Sequence, residues 1–167
     1  MKFITKIPVL ALLFILIAFL FVAYFKRKDM VDMQNVQSNN SAIKENQLTP
    51  AQYKVLKEGG TEVPYTSPLL NEKRKGTYVT ADCGIPVFRS EHKFDSGTGW
   101  PSFYQPISRD AVIEKEDTSG GDSRTEVVSS ECNSHLGHVF NDAPQTPTGL
   151  RYCINGLALV FIPDKIQ

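Results

Sequence analysis

All three cysteines and all three histidines of the chain fall between Cys83 and Cys153, so any thiol or imidazole chemistry belongs to that stretch. Cys153 sits inside a strand-like run, Leu150-Arg151-Tyr152-Cys153-Ile154-Asn155. A cysteine in a strand is by default a small core hydrophobe. Its neighbours argue for more, because side-chain alternation puts Arg151, Cys153 and Asn155 on one face, with Tyr152 and Ile154 on the other. A face carrying a guanidinium, a thiol and an amide is not a typical core face. The pair His135-Leu136-Gly137-His138 ends 15 residues before Cys153. An imidazole that reached the thiol would create a positive environment and favour the nucleophilic thiolate. The same pair also fits two metal ligands, although it lacks the glutamate of His-Glu-x-x-His, or two structural imidazoles satisfied by backbone. The only tryptophan, Trp100, lies in the loop sequence Gly97-Thr98-Gly99-Trp100-Pro101-Ser102-Phe103. There it is either a packing anchor or the floor of a small apolar pocket.

The elements that must position these residues are short. Thr49 reads as an N-cap and Pro50 as the first position of a helix that runs to about Glu58 and stops at Gly59-Gly60. Beyond it, apolar or alternating runs bounded by Gly, Pro, Asn and Asp predict strands at Thr77–Thr80, Pro86–Phe88, Ala111–Glu116, Thr125–Ser129, His138–Phe140, Arg151–Ile154 and Leu157–Ile162. The expectation is a mainly β domain of antiparallel strands with a short helical start. The 18 basic and 18 acidic residues cancel, and the composition is that of an ordinary globular protein, with no argument for nucleic-acid binding. Three cysteines are too few for a disulfide-built scaffold.

The amino-terminal part reads differently. Ile7 to Phe25 is a 19-residue run without a charge, closed by Lys26-Arg27-Lys28. As a helix it would extend roughly 28 Å, close to the thickness of a bilayer core. No cleavage site is evident, so residues 1–28 are expected to form one uncleaved transmembrane anchor (a signal-anchor), with membrane contact through residues 7–25. Residues 29–47, polar and rich in Asn, Gln and Ser, read as a flexible linker. The catalytic domain is placed at 48–163 and a tail at 164–167. The basic residues flanking the apolar run nearly balance, and the domain is expected outside the cytoplasm on a single-pass membrane protein.

Three segments taken together resemble the B-type methionine sulfoxide reductases, which act on the R epimer of methionine sulfoxide. They are Ser96-Gly97-Thr98-Gly99-Trp100-Pro101-Ser102-Phe103, His135-Leu136-Gly137-His138-Val139-Phe140 and Gly149-Leu150-Arg151-Tyr152-Cys153-Ile154-Asn155-Gly156. The resemblance runs from about Leu48 to Pro163, with Gly60-Thr61-Glu62 and Arg124-Thr125-Glu126-Val127 also fitting. It implies two antiparallel sheets with short helices at the start, and peptide-methionine (R)-S-oxide reductase activity in protein repair. In the catalytic set it implies, Cys153 is the nucleophile that passes to a sulfenic acid. His138 and His135 handle the sulfoxide oxygen, and Asn155 orients the network. Trp100, Phe140 and Arg151 are the expected substrate-binding residues.

Departures from the family pattern carry their own expectations. Many members hold a structural zinc with two Cys-x-x-Cys pairs, but here Thr80 and Ser129 replace the first cysteine of each. No metal or other cofactor is therefore expected. Because their counterparts share one ion, Cys83 and Cys132 are candidates for a structural disulfide that replaces it. Thr98 stands where zinc-free relatives often carry a resolving cysteine, so the expected reductant is an external thiol, such as a thioredoxin-like partner. Asn141-Asp142-Ala143-Pro144 replaces a more usual Pro-Asp-Gly-Pro, a difference expected to alter only a turn. The expected partners are proteins that contain methionine sulfoxide, and the expected state is a monomer. Two rival readings remain at this point: a Cys-His acyl-transfer hydrolase, and a binding module that recognises oxidised methionine without turnover.

Overall fold

The computed structural model describes residues 48–165. The expected anchor over 1–28 and linker over 29–47 lie outside the described residues, as do Ile166 and Gln167 of the tail. Among the described residues no helix is long and apolar enough to cross a membrane. Their one α-helix, α1 (Pro50–Glu58), has nine residues, a length of about 14 Å against a bilayer core of about 30 Å. The assignment to a membrane, with the domain on its outer side, is corrected accordingly and withdrawn.

α1 begins where its capping residues dictate. Thr49 Oγ1 accepts the Gln52 N–H at 3.2 Å, and Gln52 Oε1 accepts the Thr49 N–H at 3.0 Å. That reciprocal capping box satisfies two N–H groups the first turn leaves without partners. The helix buries Val55 and Leu56 and packs on a later strand and on the 3₁₀ turn Gly156–Ala158.

Nine strands follow: β1 (Gly76–Thr80), β2 (Pro86–Arg89), β3 (Lys93–Phe94), β4 (Ser102–Phe103), β5 (Val112–Asp117), β6 (Arg124–Ser129), β7 (His135–Ala143), β8 (Gly149–Ile154) and β9 (Leu159–Pro163). They build two sheets, ordered β2-β1-β9 and β3-β4-β8-β7-β6-β5, with every neighbouring pair antiparallel. The core lies between them. Phe103 of the larger sheet stacks on Phe88 of the smaller at 4.4 Å and meets Tyr78 edge-on at 4.9 Å. Around these rings Val87, Val127, Leu136, Tyr152 and Ile154 are buried.

Two differences from the sequence expectation matter for the site. β7 starts at His135 rather than His138, so both histidines ride on one strand. The Trp100 loop is flanked by two-residue strands, β3 and β4, too short to leave a periodic signal. A smaller difference is that Leu157 and Ala158 belong to the 3₁₀ turn Gly156–Ala158 rather than to the last strand.

Candidate active site

Strand register aligns the reactive residues. Cys153 on β8 pairs with Ser102 on β4 and with His138 on β7, and His138 pairs in turn with Glu126 on β6. Directly opposed residues of antiparallel strands share a face, so thiol, imidazole and carboxylate stand in one row. Along a regular strand His135 and His138, three residues apart, would point to opposite faces. The register shift between β6 and β7, where Val127 pairs with Gly137 but Val128 pairs with His135, makes Leu136 an extra residue. That bulge brings the two imidazoles to one side, with ring centroids 5.5 Å apart. Gly137 is dictated by the same packing, since a Cβ there would collide with the Cys153 carbonyl oxygen.

A cavity of about 140 Å³ opens on this face, lined by Thr61, Trp100, Arg124, Gly137, His138, Phe140, Cys153 and Asn155. It is the size of a thioether side-chain end rather than a drug-sized ligand. Burial pushes the Cys153 thiol up from its ordinary value, against the opposing pull of the Thr98 hydroxyl, Arg151 and Ser102. Thr98 Oγ1 lies 3.7 Å from Cys153 Sγ and belongs to a chain of hydroxyls, with Ser96 2.8 Å from Thr98 and 2.7 Å from Ser102. Arg151 is held from the other side by Asp142, through contacts of 2.9 and 2.6 Å, and stacks over the Phe140 ring at 4.3 Å.

Each histidine has a carboxylate. His138 Nε2 is 2.7 Å from Asp117 Oδ2, and His135 Nδ1 is 2.7 Å from Glu126 Oε1. Asp117 is held well below the usual carboxylate range, first by the Ser119 hydroxyl and then by His138. An ionised Asp117 accepts the Nε2–H and leaves Nδ1 as the lone-pair nitrogen of a neutral ring. Burial depresses the His138 pKa, and the Asp117 contact opposes that shift without overturning it.

The Trp100 ring is fixed by its Nε1–H, which donates to the Glu62 carbonyl at 3.1 Å. Glu62 is 6% exposed. Its carboxylate accepts the Gly156 and Leu157 N–H groups at 2.7 and 2.8 Å, closing the start of the 3₁₀ turn. The Glu62 N–H donates to Asn155 Oδ1 at 2.9 Å, and Asn155 Nδ2 donates to the Leu136 carbonyl at 3.0 Å. Glu62 and Asn155 together thus tie the tryptophan loop, the end of β8 and the start of β7.

The SelR domain family matches residues 48–163 of this chain. A peptide methionine sulfoxide reductase MsrB of Leptospira interrogans is 53% identical over 115 residues, 69% of this chain and 87% of the relative. The protein of that name from Methanosarcina barkeri is 58% identical over 118 residues, 71% and 82% of the two chains. That from Agrobacterium fabrum is 50% identical over 135 residues, 80% and 99% of the two. The chain belongs to the MsrB family. It is an oxidoreductase of that type.

Within this MsrB domain the residues singled out from sequence do not all meet. Cys153, His138, Trp100, Phe140 and Asn155 line the cavity. His135 sits behind His138, buried, and its Nε2 has no partner among the described residues. Arg151 also lies outside the lining, stacked over Phe140 and close enough to Cys153 to favour its thiolate. Asn155 orients the site through backbone groups rather than through the histidines. Asp142 does more than shape a turn, since it anchors Arg151. Reading the sequence missed Glu62, Asp117, Arg124 and Asp142 as site residues. The fit of Gly60-Thr61-Glu62 and Arg124-Thr125-Glu126-Val127 to the family pattern pointed toward Glu62 and Arg124; Asp142 was read only as part of a turn, and no sequence signal marked Asp117.

Cys83 and Cys132 are joined as a disulfide, 49 residues apart in sequence. The bond links the β1–β2 turn of one sheet to the β6–β7 turn of the other. The residues at the family's zinc position do not suit that ion. Disulfide sulfurs are not thiolates, and Thr80 and Ser129 supply only hydroxyls, engaged with Cys83 Sγ and the Cys132 N–H. Asp82, whose carboxylate adjoins the two sulfurs, is committed to Lys57 and Ser134. A larger cavity of about 550 Å³ lies against Leu150 and Tyr152, whose positions alternate with Arg151 and Cys153 along β8; its lining holds neither cysteine nor histidine.

Proposed function

We propose that this chain reduces protein-bound methionine sulfoxide of the R configuration to methionine through Cys153, as a repair enzyme whose catalytic domain spans 48–163. The observation that carries the reading is the row in which Cys153 faces His138 beneath a cavity that also holds Trp100. Trp100 and Phe140 offer apolar surface to the methyl group, while His138, once it has taken the Cys153 proton, offers a donor to the oxygen, so the pocket distinguishes the substituents on sulfur. The R hand is the one the family resemblance assigns.

Cys153 rests as a thiol and His138 as a neutral imidazole, given the directions of their shifts. The step therefore begins with transfer of the thiol proton to the imidazole. The sulfur attacks the sulfoxide sulfur, and the imidazolium returns the proton to the oxygen, which could not leave as a bare dianion. In net terms a thiol and a sulfoxide give a sulfenic acid and a sulfide. Oxygen passes to Cys153, and two electrons pass from its sulfur to the substrate. Cys153 is the one cysteine outside the disulfide, so two external thiols, or a thioredoxin-like dithiol, return it to the thiol with release of water and a disulfide. We propose that no metal takes part, the Cys83–Cys132 bond serving as the staple that zinc provides in many relatives.

The test is turnover of separate R and S methionine-sulfoxide peptides by the full-length chain with excess dithiol, beside Cys153→Ser. Reduction of R alone, abolished in the variant, is the expected result. Equal turnover of both epimers overturns the stereochemical assignment, and no turnover by folded protein overturns the reading.

A further inference from the structure

The strip of chain beside the cavity is apolar and unusually exposed. Thr61 lines the cavity and Glu62 holds Trp100, and the next three residues, Val63-Pro64-Tyr65, carry no charge and lie open to solvent. Val63 and Tyr65 are each 67% exposed, more than any other large hydrophobic side chain among the described residues. The strip is also held rigidly. Tyr65 takes a left-handed backbone, φ 66°, which a bulky residue rarely adopts. Two bonds to the tryptophan loop keep it there: the Tyr65 N–H donates to the Gly99 carbonyl at 2.8 Å and its hydroxyl to the Gly97 carbonyl at 2.8 Å. Gly99 leaves room for this contact, since a Cβ would come within 2.8 Å of Pro64. Strained backbone that fixes an aromatic ring in water is a feature to explain by function.

We propose that Val63, Pro64 and Tyr65 form a binding surface for an apolar residue that flanks the oxidised methionine in an extended stretch of substrate. The inference rests on the methionine sulfoxide reading and names the kind of chain that site accepts. An extended chain advances about 3.3 Å per residue. A flanking side chain one or two residues from the sulfoxide therefore falls on a strip that begins two residues after Thr61. The surface adjoins the cavity through Thr61 and carries no charged side chain of its own, so it rewards apolar flanks and offers no partner to charged ones. Apolar neighbours are buried in folded proteins, and such a site selects oxidised segments that have come unfolded.

The experiment is single turnover by the pre-reduced full-length chain, without reductant, on three substrates. These are an N-acetylated methionine-sulfoxide amide and two short peptides with leucine or aspartate on both sides of the sulfoxide. The wild type is expected to favour the leucine peptide about tenfold in rate at limiting substrate. Val63→Asn, which removes the apolar surface without adding charge, should bring that ratio to within about threefold, with Val63→Ala between that variant and the wild type. A ratio near one in the wild type, or one that survives undiminished in Val63→Asn, overturns the proposal. So does an equal loss on all three substrates, which assigns Val63 to the fold of the pocket. A defect seen only in multiple turnover with thioredoxin gives the strip to the reductant instead. Failure of the wild type on every substrate removes the parent reading itself.

Discussion

Cys153 combines two opposed influences, burial that favours the thiol and neighbours that favour the thiolate. Burial dominates, and Thr98, Arg151 and Ser102 pull back in that order. Alkylation by iodoacetamide, which consumes only thiolate, should therefore reach half its limiting rate above the pH of an ordinary cysteine. Arg151→Met removes a cation that lowers the pKa, so it should move the midpoint higher still. Thr98→Val should act in the same direction by removing a hydrogen-bond donor. A midpoint that falls in either variant contradicts this account. Cys153 is the one thiol outside the disulfide, so the measurement reads a single site.

At the scale of elements, β7 brings the site together because of its bulge and because Gly137 lets it approach β8. Gly137→Ala should force the strands apart, costing about 1–3 kcal/mol of stability and, by displacing His138 from Cys153, roughly a hundredfold in kcat. Denaturant melts and steady-state kinetics check the two halves separately. A fully active Gly137→Ala protein shows the row to be unimportant. Much of this was legible beforehand. Thr49-Pro50 announced the helix, and alternation placed Arg151 and Cys153 on a common face away from Tyr152. The rest was not, for physical reasons. The common side of His135 and His138 depends on one extra residue in a register, which no window of sequence reports. Glu62 reaches Gly156 across 94 residues and Asp117 reaches His138 across 21, by contacts that exist only once the sheets have formed. β3 and β4 have two residues each, shorter than any periodicity.

Across the whole molecule, Cys83–Cys132 joins the two sheets at their turns. Closing a loop of about 50 residues contributes on the order of 4 kcal/mol in the chain-entropy model, equivalent to roughly 15 °C in Tm for a domain of this size. The double variant Cys83→Ser/Cys132→Ser should melt lower by about that amount, and a strong reductant should lower the wild type to match. A metal chelator should leave the oxidised wild type unchanged. A fall with chelator instead would restore zinc to the account. In the proposed cycle, a concentrated small-molecule dithiol supplied to reduce Cys153 would also reduce this staple, so long assays in such a reductant should lose activity on warming faster than assays with a thioredoxin.

Trp100 is the only tryptophan in the 167 residues, and it lines the same cavity as Cys153. Excited near 295 nm, where tyrosine scarcely absorbs, the protein therefore emits from one place, the cavity proposed to take the substrate. Occupancy, sulfur oxidation next door and release of product should each alter the intensity or colour of that light. The enzyme can be followed through its cycle without a label.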